Sequence, residues 1–172
     1  MNSSPLINGV KRLPQVVFDG NSLTDQGLGN GYITSVASAL GNGYDYLKMG
    51  VGGQNTAAMS IAAPTKIDPL KSTTRSKNIV VAWEILNHVL LAGANATQAY
   101  DAMAAYCLAR KNAGWLVVVV TALPTNATTY PTFEAIRQTV NTNLRTNYAT
   151  FANALADAGN DATIGQAGQA AN

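Results

Sequence analysis

The chain has 172 residues, 47% of them hydrophobic and only 12% charged, with a formal net charge of +2. That length suits one domain with a proper core, and the composition excludes an intrinsically disordered chain. The eleven Lys and Arg form no basic stripe, which argues against a nucleic-acid partner, and a single cysteine with a single histidine excludes an internal disulfide and argues against a zinc or other metal site.

Residues 1–9 read Met-Asn-Ser-Ser-Pro-Leu-Ile-Asn-Gly. They lack the apolar run of a signal peptide, and 1–13 read as an N-terminal extension. A first strand is expected at 16–18, Val-Val-Phe, running into the turn Asp-Gly-Asn-Ser-Leu-Thr, which is expected to open a helix. Residues 32–40 carry Ile33, Val36 and Leu40 at helical spacing. Further strands are expected at 46–51 and 78–83. Residues 98–112 read as a helix with Tyr100, Met103 and Cys107 on its apolar stripe, ended by Gly114. A fourth strand is expected at 115–123. The third and fourth are continuous apolar runs, as in strands buried on both faces, and 115–123 is far too short to span a bilayer.

The strongest helical signal covers 131–156. Phe133, Ile136, Val140, Leu144, Tyr148, Phe151 and Leu155 fall on one stripe, with Pro131 suited to the first turn and Glu134 to the positive helix end. Residues 158–172 show no apolar periodicity and read as a loose tail. Alternating strands and helices predict a single α/β domain over 14–157, a doubly wound parallel sheet with helices on both faces.

Three loops would then meet at the carboxyl edge of the sheet, where open α/β folds keep their sites. They hold Gly20-Asn21-Ser22-Leu23-Thr24, Gly50-Val51-Gly52-Gly53-Gln54-Asn55-Thr56 and Glu84-Ile85-Leu86-Asn87-His88. A serine hydroxyl, a glycine N–H and an asparagine amide are the parts needed to stabilise a tetrahedral acyl intermediate. Each also has a plainer reading: Ser22 as a helix N-cap, Gly53 as a turn glycine, Asn87 as a helix cap. Asp19 more often bonds nearby backbone, Glu84 reads as an internal hydrogen-bond partner, and Cys107 as a small buried residue.

In order, spacing and strand context these blocks resemble those of the SGNH hydrolases, also called GDSL esterases and lipases. Gly20-Asn21-Ser22-Leu23-Thr24 is similar to the family's Gly-Asp-Ser-Leu-Thr, Gly53 matches its oxyanion glycine and Asn87 its oxyanion asparagine. The resemblance implies a flavodoxin-like three-layer α/β/α sandwich and hydrolysis of O-acyl or acetyl esters of carbohydrate or small esters, without a cofactor. Ser22 would be the nucleophile, with the Ser22 and Gly53 N–H groups and the Asn87 side chain around the oxyanion. A weaker likeness is to SGNH modules of phage virions.

The family's last block, Asp-x-x-His, is not found: neither Asp157 nor Asp161 has a histidine three residues later, and the chain looks truncated before that block. Asn21 replaces an aspartate, and Ile85 and His88 replace a glycine and an aspartate of the third block, which puts that loop's geometry in question. His88 is a candidate replacement base, although neighbouring residues point in different directions. An alternative reading is a non-catalytic glycan-binding or assembly module, virion-associated for example. In a third, another copy or a complementing chain pairs with an open sheet edge and supplies the missing segment.

Overall fold

The computed structural model describes residues 12–25, 31–125 and 129–165. Its strands are β1 (Gln15–Gly20), β2 (Asp45–Lys48), β3 (Asn78–Trp83), β4 (Leu116–Val120) and β5 (Ala154–Ala156). Its helices are α1 (Gly31–Leu40), α2 (Thr56–Lys66), α3 (Leu86–Leu90), α4 (Ala96–Asn112) and α5 (Phe133–Phe151). All neighbouring strands are parallel, in the order β2-β1-β3-β4-β5. This is the flavodoxin-like order, in which winding reverses between β1 and β3 and opens a crevice at their carboxyl ends.

Alternate residues of the strands serve the two faces. Val17, Val80, Val117 and Val119 pack with Met59, Ala63, Met103, Cys107, Val140 and Leu144, so α2, α4 and α5 cover one face. Val16 and Phe18 pack with Ile33, Tyr32 and Val36, so α1 covers the other. This second cover is partial. Along the register Val16–Ile79–Leu116 exposure rises from 5% at Val16 to 39% at Leu116. The expectation that β4 is buried on both faces is therefore corrected: among the described residues only the side facing α4 and α5 is fully closed.

Local signals explain the helix ends. Asn95 and Gln98 form a reciprocal capping box at the start of α4, with both bonds at 3.0 Å. Gly114 closes that helix with φ +88°, in the left-handed region.

The single helix expected over 131–156 is corrected. It begins at Phe133, so Pro131 lies outside it, and it stops at Phe151 because Ala152 turns extended, with φ −129° and ψ 171°. Asn153 then brackets Val117, its N–H donating to the Val117 carbonyl at 2.8 Å and its side-chain oxygen accepting from the Val117 N–H at 2.9 Å. This seats Ala154–Ala156 as a fifth strand beside β4. Leu155 fits the helical stripe and a strand equally well, which hid the change.

The helices α2 and α3 gave no strong periodic signal; α2 contains Pro64 and buries mainly small side chains and Met59. The second strand is shorter than expected, ending at Lys48. Residues 158–165, read above as part of a loose tail, carry a 3-10 turn with Gly159 buried, its N–H donating to Thr121 Oγ1 at 2.7 Å. Residues 1–11 and 166–172 lie outside the described residues.

Candidate active site

The carboxyl ends of β1, β2 and β3 bring the three loops together, and hydrogen bonds join them. The Val51 N–H donates to the Gly20 carbonyl at 3.0 Å, and Gln54 Nε2 reaches the same oxygen at 3.2 Å. The Gly52 N–H donates to Asp25 Oδ2 at 2.8 Å, tying the second loop to the far end of the first. Asn87 Nδ2 donates to the Gln54 carbonyl at 3.0 Å, tying the third loop to the second.

Ser22 stands in a tight turn just past β1. The Thr24 N–H donates to the Asn21 carbonyl at 3.0 Å, and the Leu23 N–H to Asn21 Oδ1 at 2.9 Å. The second bond makes an Asx turn, so Asn21 does the conformational work of an aspartate. The turn does not open a helix directly, as expected above: residues 22–24 are turn and Asp25 is irregular, while α1 covers Gly31–Leu40. Ser22 is therefore not the N-cap of α1. Close packing holds the turn in place. A Cβ on Gly20 would collide with the Trp83 carbonyl, and one on Gly50 would lie 2.5 Å from the Thr24 carbonyl carbon.

Gly53 has φ +74°, a conformation that favours glycine, and a Cβ there would meet nothing within 4 Å. It is exposed, and among the described residues no carbonyl accepts from its N–H. Asn87 is the second residue of α3, not its cap, and is 9% exposed. A side-chain amide has two N–H donors. The Gln54 carbonyl takes one and fixes the plane of the group. Ile85 has φ −144°, so the third loop needs no glycine at that position.

His88 follows Asn87 on α3. Successive helical side chains diverge by about 100°. Its Nδ1 is buried without a hydrogen-bond partner, and among the described residues no hydrogen bond joins it to Ser22. No group of three His, Cys, Asp or Glu side chains that could hold a metal ion is found among the described residues. No helix among them is long and apolar enough to cross a membrane.

Beneath the loops lie two buried carboxyl groups. Glu84 is fully buried. Its Oε1 accepts from the Asn87 N–H at 2.6 Å and the His88 N–H at 3.3 Å, and its Oε2 from Thr56 Oγ1 at 2.8 Å. Asn21 Nδ2 makes a longer contact to Oε1, at 3.5 Å. Burial raises the Glu84 carboxyl above its ordinary range, against the lowering effect of these donors. Asp19 accepts from the Tyr106 hydroxyl at 2.5 Å, and burial raises its carboxyl too. It bonds the adjacent Gly20 backbone, as the sequence suggested, and in addition the Tyr106 side chain on α4 and the Gln54 side chain. The links made by Gln54 and Thr56 had no sequence signal, because they depend on how α2 seats against β3. Glu84 was visible only as an acid inside an apolar run.

No protein-family model matches the sequence, and no curated protein matches it. Solved structures do. AlinE4, an SGNH-hydrolase family esterase, superposes with a TM-score of 0.63 at 17% identity, over 83% of this chain and 75% of that one. A member of the lipolytic G-D-S-L family from Veillonella parvula gives 0.62 at 16% identity, over 84% and 77%. Axe2, an acetylxylan esterase from Geobacillus stearothermophilus, gives 0.57 at 14% identity, over 80% and 74%. The chain has the SGNH-hydrolase fold, and the likeness read in its three loop blocks holds at the level of that fold.

Proposed function

We propose that this chain is a serine ester hydrolase of the SGNH type, acting on O-acyl esters of carbohydrate or on small esters. The observation that carries this is the hydrogen-bonded meeting of the Ser22, Gly53 and Asn87 loops at the β1/β3 crevice. In this reading Ser22 Oγ attacks the ester carbonyl carbon and its proton passes to a base. The carbonyl oxygen takes up the negative charge among the Gly53 N–H, the Ser22 N–H and the second Asn87 amide proton. Collapse expels the alcohol, which leaves with the proton, and water then releases the acid from the acyl-serine. A sparsely charged chain suits neutral esters, and the acetylxylan esterase among the fold neighbours supports an acylated carbohydrate as substrate.

The base is the incomplete part. His88 is the only histidine of the chain. An unassisted serine is a weak nucleophile at neutral pH, so activation calls for a base, most often an imidazole. The test is labelling with a fluorophosphonate, in plain buffer and with added imidazole, followed by peptide mapping. A single adduct on Ser22, faster with imidazole and absent from Ser22→Ala and from the denatured chain, is the expected result. His88→Ala then separates the chain's own base from the added one.

The missing Ser22–His88 bond favours one second reading, a non-catalytic module that binds glycan in the same crevice. Saturable binding of an acetylated xylo-oligosaccharide, with no Ser22 adduct under any condition, would select it.

A further inference from the structure

Glu84 makes contacts that a space-filling residue would not need. It is the first residue past β3, fully buried, and its carboxylate touches all three loop regions. Oε1 takes the N–H groups of Asn87 and His88 at the start of α3, at 2.6 and 3.3 Å. Oε2 takes the hydroxyl of Thr56, the first residue of α2 and the end of the second loop block, at 2.8 Å. Asn21, beside Ser22, approaches Oε1 at 3.5 Å. An apolar side chain of that size would leave these donors unsatisfied in a closed interior, at a cost comparable to several lost hydrogen bonds. α3 has five residues, too few to hold its own orientation without such anchoring.

We propose that Glu84 is a positioning residue: its carboxylate anchors the start of α3 so that the Asn87 amide stays bonded to the Gln54 carbonyl and presents its second proton to the oxyanion. The proposal rests on the ester-hydrolase reading. Acceptor geometry is what matters in it. Glutamine, which keeps one carbonyl oxygen for the two N–H groups, should substitute for Glu84 where alanine does not. Asn21 fits the same scheme, because an aspartate there would turn a donor toward Glu84 into a second carboxylate.

The experiment compares wild type, Glu84→Gln, Glu84→Ala and Thr56→Val. Two readouts are used: amide signals of Asn87 and His88 by heteronuclear NMR, and fluorophosphonate labelling of Ser22 in imidazole buffer across probe concentrations. Glu84→Gln is expected to keep the Asn87 side-chain signals and to label within ~3-fold of wild type. Glu84→Ala is expected to displace those signals and to lower the maximal labelling rate by ~100-fold, the scale for losing one oxyanion donor. Its half-saturating probe concentration should change little. A folded Glu84→Ala chain with wild-type Asn87 signals would overturn the proposal, as would equal rate losses in the Gln and Ala variants. Should the alanine variant not fold, Thr56→Val, which removes only the hydroxyl on Oε2, is expected to shift the Asn87 signals, and unchanged signals there overturn the proposal. If wild-type Ser22 takes no label, the ester-hydrolase reading falls, while the Asn87 signals still decide the role of Glu84.

Discussion

Glu84 makes the stability of the fold depend on pH, and the sign is fixed by burial. Its carboxyl is raised in the folded chain, as is that of Asp19, in both cases chiefly by desolvation. Folding therefore favours the protonated forms. Their stabilisation is complete below the unfolded carboxyl pKa and is lost as pH rises through the folded one. As pH rises above the ordinary carboxyl range, the urea midpoint of wild type should fall relative to that of Glu84→Gln. Asn21→Asp should steepen the fall, since it sets a second carboxylate beside Glu84. A second residue-scale prediction concerns Cys107, buried beside Met103 with its thiol pushed up to about 12. The native chain should resist iodoacetamide at mildly alkaline pH and react after denaturation. Two glycines separate sterics from backbone strain. Gly50→Ala drives a Cβ into the Thr24 backbone and should destabilise by ~3 kcal/mol, parting the first two loops. Gly53→Ala meets no atom and should cost only the ~1–2 kcal/mol of a left-handed alanine. At this scale the sequence put Ser22, Gly53 and Asn87 on three loops, and the fold brings those loops together. The sequence concealed Thr56 and Gln54, whose partners lie across the fold.

Among the elements, β5 is the one that needs support beyond its ladder. It has three residues and follows α5 almost at once. Past its end Asp157 takes two bonds from Arg145 on α5, both at 2.9 Å, and one from Thr121 Oγ1 at 3.0 Å. The Arg145 bonds are the main reason its carboxyl is held below the ordinary range. Glu134 is likewise lowered, first by its bond to the buried guanidinium of Arg137. For both, the stabilisation is present above the unfolded pKa and lost as pH falls through the folded one. Arg145→Met should cost ~0.5–1 kcal/mol near neutrality, less at low pH and less in high salt. Hydrogen exchange should locate that loss in β5. A change confined to α5 would count against the clamp. The amphipathic elements α1, α4 and α5 and the apolar strands β3 and β4 were readable as periodic patterns. β5 was not, because Ala-Leu-Ala carries no strand signal and Asn153, through its pairing with Val117, decides where the helix gives way.

For the whole molecule, the alternation of strands and helices was enough to reach a doubly wound parallel sheet, since right-handed crossovers leave few alternatives. The uneven cover of the two faces was not legible. Among the described residues it follows from α1 lying over Val16 and Phe18 while Leu116 stays open. The same topology gathers the three loops, and the fold matches solved SGNH esterases at identities of 14–17%. Whether the crevice performs their chemistry turns on Ser22. The most direct measurement is fluorophosphonate labelling of the folded chain with and without imidazole, read by intact mass and peptide mapping. One adduct is expected, on Ser22, that forms faster as imidazole rises and is absent from Ser22→Ala. A folded chain that takes no label at Ser22 under either condition, or that labels equally well elsewhere, would contradict the ester-hydrolase reading.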